Sequence, residues 1–191
     1  EEYKKEKDSD ILIEIDPGIA FGTGSHETTK LCIQALDKYV KTGDSVLDVG
    51  CGSGILSIAA LKLGAKHATA IDIDEVAVKV AAENMAVNHI PSSDYTLYDG
   101  DLISNAFLKV KAGTGHDIVV ANILADVIIP LTGVVKPHLK KGGLYITSGI
   151  IDDKEETVKE AVAKAGLELI DVNYHCLLYT SPSPRDGATT R

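Results

Sequence analysis

The residues best placed to do chemistry are a run of alternating glycines and the carboxylates around it. Asp48-Val49-Gly50-Cys51-Gly52-Ser53-Gly54 follows a short apolar stretch, and Asp72 ends the next one. Glycines let a backbone approach a ligand without a Cβ in the way. A dinucleotide loop reads G-x-G-x-x-G and aims helix-terminal amides at a pyrophosphate. Here the spacing is G-x-G-x-G, with Asp48 ahead of the first glycine. A carboxylate there suits a cation. S-adenosylmethionine carries an ammonium and a sulfonium and no phosphate. An acidic residue about 20 positions beyond such a loop accepts hydrogen bonds from a ribose diol, which is the expectation for Asp72. Asp48, Gly50, Gly52 and Asp72 are therefore the first cofactor candidates. The spacing speaks against a nicotinamide oxidoreductase.

Other polar residues have two readings each. Asp74 falls where a helix starts and reads as its N-cap. Asp101, in Asp99-Gly100-Asp101, accepts either from the adenine amino group or from its own loop. Cys51 has no base beside it and reads as a small buried thiol. Asn122 closes an apolar strand, where it is either a turn former or a neutral acceptor that orients an amine for in-line methyl transfer. Ile123-Leu124 follow it and supply no aromatic clamp for a flat base, which suits a flexible lysine. His26 is either a proton acceptor near neutral pH or a polar residue in a helix's first turn. Lys30 and His116 read as surface residues. No metal site is expected.

These residues need a frame, and the chain alternates to provide one. Strands are expected over 11–15, 45–49, 68–71, 95–98, 116–121, 144–147 and 167–172. A helix follows Ser25, with Thr28, Leu31, Cys32, Ala35, Leu36 and Tyr39 on one face. Others are expected over 55–63, 75–88, 125–139 (through Pro130) and 152–165. The 75–88 helix carries Val76, Val80, Ala81, Asn84 and Val87 along one side. The continuous apolar run before Asn122 suits a strand buried on both faces. The fold class is α/β, Rossmann-like, with a mostly parallel doubly wound sheet of the class I S-adenosylmethionine-dependent methyltransferase kind.

Bulk properties narrow the partners. The chain has 191 residues and a formal net charge of −9, with 45% hydrophobic and 25% charged residues. That charge repels phosphate backbones and attracts a basic partner, so direct nucleic-acid binding is not expected. Trp is absent and aromatics are few, so a base-stacking platform is not expected either. Cys32, Cys51 and Cys176 cannot all pair, and they read as free thiols of a reducing cytosol. No apolar run is long enough for a membrane span, and the charged N-terminus is no signal peptide, so the expected location is cytoplasmic.

Two further stretches carry a family resemblance. They are Asp16-Pro17-Gly18-Ile19-Ala20-Phe21-Gly22-Thr23-Gly24-Ser25-His26-Glu27-Thr28-Thr29 and Val120-Ala121-Asn122-Ile123-Leu124. With the glycine loop and Ile71-Asp72-Ile73-Asp74, they resemble the bacterial ribosomal protein L-eleven (L11) methyltransferase family, of the PrmA type. The resemblance implies methylation of lysine ε-amines and an N-terminal α-amine on that basic ribosomal protein; the alternatives are a methyltransferase of the same fold acting on another protein or a small amine, and a fragment that binds the cofactor without activity. It implies that Thr29, Gly50, Asp72 and Asn122 contact the cofactor, and that the segment over 21–29 closes over cofactor and substrate. The family also has an N-terminal substrate-recognition domain and a final hairpin. The expected organisation is a linker remnant over 1–10, a catalytic domain over 11–178 and a non-native disordered tail over 179–191. The last hairpin is expected to be missing, leaving an exposed sheet edge.

Overall fold

The structure is a computed structural model that describes residues 10–16, 27–148, 154–173 and 176–180. Its elements run α1 (Glu27–Tyr39), β1 (Ser45–Val49), α2 (Ile55–Lys62), β2 (His67–Asp72), α3 (Glu75–Val87), β3 (Tyr95–Asp99), α4 (Ala106–Ala112) and β4 (His116–Asn122). They continue with α5 (Ala125–Val135), a 3-10 turn (Lys136–His138), β5 (Leu139–Ser148), α6 (Glu155–Lys164), β6 (Glu168–Asn173) and β7 (Cys176–Thr180). One sheet has the order β3-β2-β1-β4-β5-β7-β6. Strands β1 to β5 pair in parallel, and β7 lies antiparallel between β5 and β6.

Alternation of side chains along each strand builds two cores. Leu47 and Val49 of β1 join Val119 and Ala121 of β4 in one cluster, with Ile128 and Leu131 of α5 and Val158 of α6. Val46 joins Ile118 and Val120 in the other, with Cys32 and Leu36 of α1 and Leu56 and Ala59 of α2. Successive residues of a strand point to opposite faces, so a strand covered on both sides must be apolar throughout. The exception is Asp48, on the face of Val46 and fully buried.

The order reverses between β1 and β4, which is where an open α/β sheet leaves a crevice at its carboxyl ends. Asp48 is in register with Val120. Two residues further on, Gly50 and Asn122 meet that crevice side by side.

Several expectations need correction. Residues 11–15 form no strand; their hydrogen bonds go to side chains of α2 and α3, described below. The final hairpin is present. Cys176 pairs with Ser148 and Thr180 with Leu144, so β7 covers the edge of β5, and Tyr179 and Thr180 belong to the sheet. The helix expected over 125–139 stops at Val135, and β5 starts at Leu139. α4 was not foreseen; Asn105 caps it by accepting from the amides of Phe107 and Leu108, both at 3.0 Å. The buried face of α3 carries Ala77, Ala81, Asn84 and Met85, while Val76 and Val87 are exposed. His116 is buried, not a surface residue: its Nε2 lies 2.8 Å from the Ala112 carbonyl, and burial lowers its pKa. Among the described residues, no helix is long and apolar enough to cross a membrane.

Candidate active site

The glycine loop leaves β1 at its carboxyl end, between β2 and β4. The amides of Gly50 and Cys51 donate to the Ile71 carbonyl at 2.8 and 3.1 Å, anchoring the loop to β2. Gly50 has φ +77°, and a Cβ there would stand 2.3 Å from Ile123 Cγ2. Gly54, at φ +79°, lies against Ala81 of α3, whose Cβ would be 3.1 Å from an added Cβ. Only glycine meets both the positive φ and the close approach at these two positions.

Asp48 sits beneath this loop. Its Oδ2 accepts from the Ser57 hydroxyl at 2.7 Å and the Ser57 amide at 3.1 Å. Oδ1 has no partner among the described residues. Burial raises its pKa from 3.8 to about 7; the Ser57 bonds oppose that rise and the charge of Asp72 adds to it. Because the Ser57 amide belongs to the first turn of α2, the carboxylate occupies a donor that a dinucleotide fold would offer to phosphate. Cys51 is buried, and burial pushes its thiol pKa well up, so it is held as an inert thiol.

Asp72, at the end of β2, ties the loop from the other side. Its Oδ2 accepts from the Gly52 amide at 2.8 Å and its Oδ1 from the Asp74 amide at 3.0 Å. Asp74 caps α3, accepting from the Val76 amide at 2.8 Å. Asp101 accepts from the Ile103 amide at 2.8 Å and the Ser104 hydroxyl at 2.6 Å. The Ser104 bond, ahead of every other cause, holds its carboxyl below the usual range.

Across the crevice, Asn122 donates from Nδ2 to Thr29 Oγ1 at 3.1 Å. Thr29 is buried on α1. The bond joins residues 93 apart in sequence and fixes the amide at the carboxyl end of β4. Among the described residues, no group of three or more His, Cys, Asp or Glu could hold a metal ion.

Residues 1–176 match the family described as ribosomal protein L11 methyltransferase (PrmA). The chain belongs to that family. It is 56% identical over 178 residues to the ribosomal protein L11 methyltransferase of Agathobacter rectalis, an alignment covering 91% of this chain and 55% of that protein. The chain thus spans about half the length of the curated relatives it matches. Among solved structures, the ribosomal protein L11 methylase of Lactobacillus delbrueckii subsp. bulgaricus superposes with a TM-score of 0.80 at 32% identity, covering 94% of this chain and 89% of that one. A TehB-like SAM-dependent methyltransferase from Corynebacterium glutamicum has a TM-score of 0.61 at 18% identity, covering 78% of this chain and 86% of that one. That second likeness is one of fold, the class I methyltransferase fold read from the sequence.

In this member of the ribosomal protein L11 methyltransferase family, the structure brings Gly50, Gly52 and Asp72 together on one side of the crevice, with Thr29 and Asn122 on the other. Asp48 lies behind the loop. Asp101 follows β3, with its carboxylate engaged by its own loop. His26 and the stretch over 17–26 lie outside the described residues. Two apolar side chains beside the site are exposed: Ile73, 77% exposed just after Asp72, which the sequence reading gave no role, and Leu124, 71% exposed just after Ile123. The signal for Ile73 is an apolar residue placed directly beyond the end of β2.

Proposed function

We propose that this chain is the methyl-transfer domain of an S-adenosylmethionine-dependent protein N-methyltransferase. Its acceptors on this reading are lysine ε-amines and the N-terminal α-amine of ribosomal protein L11. The observation that carries the proposal is the pairing of Asn122 with Thr29 at the carboxyl end of β4, beside the glycine loop.

The residues present fit the cofactor. A buried carboxylate oxygen of Asp48 without a partner among the described residues suits a cationic ligand. The Ser57 amide, already taken by Asp48, does not serve a phosphate. Asp72, half-buried at the crevice, is the acceptor for a ribose diol, and Gly50 and Gly52 give the backbone its close approach. Asp101 remains a candidate acceptor for the adenine amino group through its free lone pairs. When bound, S-adenosylmethionine supplies a methyl group on a sulfonium.

The protein's own part is to present the acceptor amine. An amine attacks only as its neutral form, with the lone pair free. With Nδ2 committed to Thr29, the remaining pole of Asn122 is Oδ1, which accepts an amine N–H without the charge pair that would hold an ammonium. Positioning and a fixed dipole then lower the barrier. His26, which lies outside the described residues, is proposed as a proton acceptor. The net charge of −9 suits a basic protein substrate over a nucleic-acid backbone, and the reading places the protein in the cytoplasm.

Mass spectrometry of L11 incubated with the chain and cofactor tests this. Added methyl groups are expected on amines, and Asn122→Ala should reduce their rate by about 100-fold while leaving cofactor affinity within a few-fold. No methyl gain on L11 from a full-length version that carries the family's N-terminal recognition domain refutes the substrate assignment; cofactor binding without turnover by this chain alone identifies a cofactor-binding fragment. Separately, Asp72→Ala should weaken S-adenosylhomocysteine binding by about 1–3 kcal/mol, roughly 5- to 150-fold, in calorimetry. Unchanged affinity removes Asp72 from the ribose site.

A further inference from the structure

Two asparagines stand one turn apart at the end of α3, Asn84 within the helix and Asn88 as its C-cap. Asn84 is fully buried and Asn88 nearly so. Asn84 Nδ2 donates to the Ser53 carbonyl, in the middle of the loop, at 2.9 Å. Its Oδ1 accepts from the Asp16 amide at 3.0 Å. One turn along, Asn88 Oδ1 accepts from the Glu14 amide at 3.0 Å and its Nδ2 donates to the Glu14 carbonyl at 2.6 Å. The same Nδ2 also donates to the Asn84 carbonyl at 2.8 Å. From α2, Lys62 Nζ donates to the Leu12 carbonyl at 2.6 Å.

The spacing is a physical match. Four residues of helix rise about 6 Å, and two residues of extended chain advance about 6.7 Å. Asparagines at i and i+4 therefore meet amides at j+2 and j, running antiparallel, as a neighbouring strand would. Segment 10–16 has the hydrogen bonding of a strand edge with side-chain amides as its partner.

Asn84 joins this ladder to the glycine loop through its bond to the Ser53 carbonyl. Ala77 and Ala81, its neighbours on the buried face, show that a small apolar residue packs there. A fully buried amide costs more than an alanine unless its bonds are used. Gly54 touches Ala81 at the same place, so loop and helix are in direct contact. From Asp16 the chain runs on to Thr29, which Asn122 holds across the crevice. One end of that run is thus fixed to the loop and the other to the candidate acceptor site.

We infer that Asn84 is a positioning residue that couples occupancy of the glycine loop to the anchoring of segment 10–16. The inference rests on the loop being the cofactor site. Coupling of this kind is reciprocal: a ligand that fixes the loop steadies the segment, and loosening the segment weakens the ligand.

Amide hydrogen exchange with and without S-adenosylhomocysteine tests it on the whole chain. In the wild type, the ligand should slow exchange across residues 50–54 and also at the Glu14 and Asp16 amides, each by about fivefold or more. Asn84→Leu, close in volume and without donor or acceptor, should keep loop protection at higher ligand concentration and abolish the response at Asp16. Asn88→Leu should speed basal exchange at Glu14 yet keep the ligand response at Asp16, because the bond from Asn84 to Ser53 survives. Asn84→Ser serves if the leucine variant does not fold, and the wild-type arm stands without either. Protection of the loop with Glu14 and Asp16 unchanged overturns the coupling alone. A retained Asp16 response in the folded Asn84 variant overturns it too. No protection at residues 50–54 overturns the cofactor reading, and this inference falls with it.

Discussion

Asp48→Asn should stabilise the fold by an amount that grows as pH rises from about 4 to 7 and then levels off. Asp48 is fully buried, and burial raises its pKa from 3.8 to about 7. Below about pH 4 the carboxyl is protonated in folded and unfolded chains alike, and its titration costs nothing. Between the two values the unfolded chain ionises while the folded one keeps its proton. Folding then loses about 1.4 kcal/mol per pH unit, reaching about 4 kcal/mol above pH 7. Asparagine does not titrate. Its Oδ1 has two lone pairs for the Ser57 amide and hydroxyl, as Asp48 Oδ2 does now. Its Nδ2 replaces an oxygen that has no partner among the described residues, which adds a pH-independent offset. The slope of the difference is therefore the readout, from urea unfolding of both proteins between about pH 5 and 8. Parallel wild-type and variant curves would show that burial does not perturb this carboxyl.

The same carboxylate links the fold to its proposed ligand. A cation above the loop favours ionised Asp48, so binding should release a proton, and affinity should rise with pH up to about 7. Asp72 pushes the other way, since its charge raises the pKa of Asp48. The charge of Asp72 thus opposes ionisation of Asp48 until a positive ligand arrives.

Much of this arrangement was legible in the sequence, and the failures have physical causes. β1 and β4 read correctly because a strand covered on both faces leaves no polar gaps except at chemistry, and Asp48 was such a gap. Its burial was also readable, since it shares a face with Val46. α4 escaped because it is seven residues long, with Phe107 and Val110 exposed and only Leu108 and Ala112 buried, which makes no stripe. Residues 11–15 alternate like a strand, and Ile13 and Ile15 do pack on the core. Periodicity reports which side chains are buried and not what bonds the backbone, and here helix side chains do that. β7 was lost because its residues run directly into a stretch rich in Ser and Pro. At the site, residue types came from local pattern, but the contacts of Asn122 with Thr29 and Ile123 with Gly50 join distant parts of the chain. Asn84 left a mark of its own, a lone amide on the apolar side of α3.

The contact between Gly50 and Ile123 sets the second large effect. Gly50→Ala should destabilise the fold by about 2–5 kcal/mol and abolish measurable cofactor binding. Two separate costs contribute. A residue with a Cβ at φ +77° pays roughly 1–2 kcal/mol for the left-handed conformation. Its Cβ would also stand 2.3 Å from Ile123 Cγ2, an overlap that forces the neighbours apart at about 1–3 kcal/mol. Ile123 adjoins Asn122, so the displacement reaches the proposed acceptor as well as the loop. The two costs can be separated. The new Cβ lies 3.7 Å from Ile123 Cβ, an ordinary contact, so truncating Ile123 removes only the clash. Gly50→Ala combined with Ile123→Ala should therefore cost less than the two single changes added together, by about the overlap energy. The backbone strain should remain in the double variant. A cycle of urea unfolding measurements reads this directly. Simple additivity would mean that the loop relieves the overlap by moving away from β4, in which case cofactor binding should fail in the double variant as completely as in Gly50→Ala.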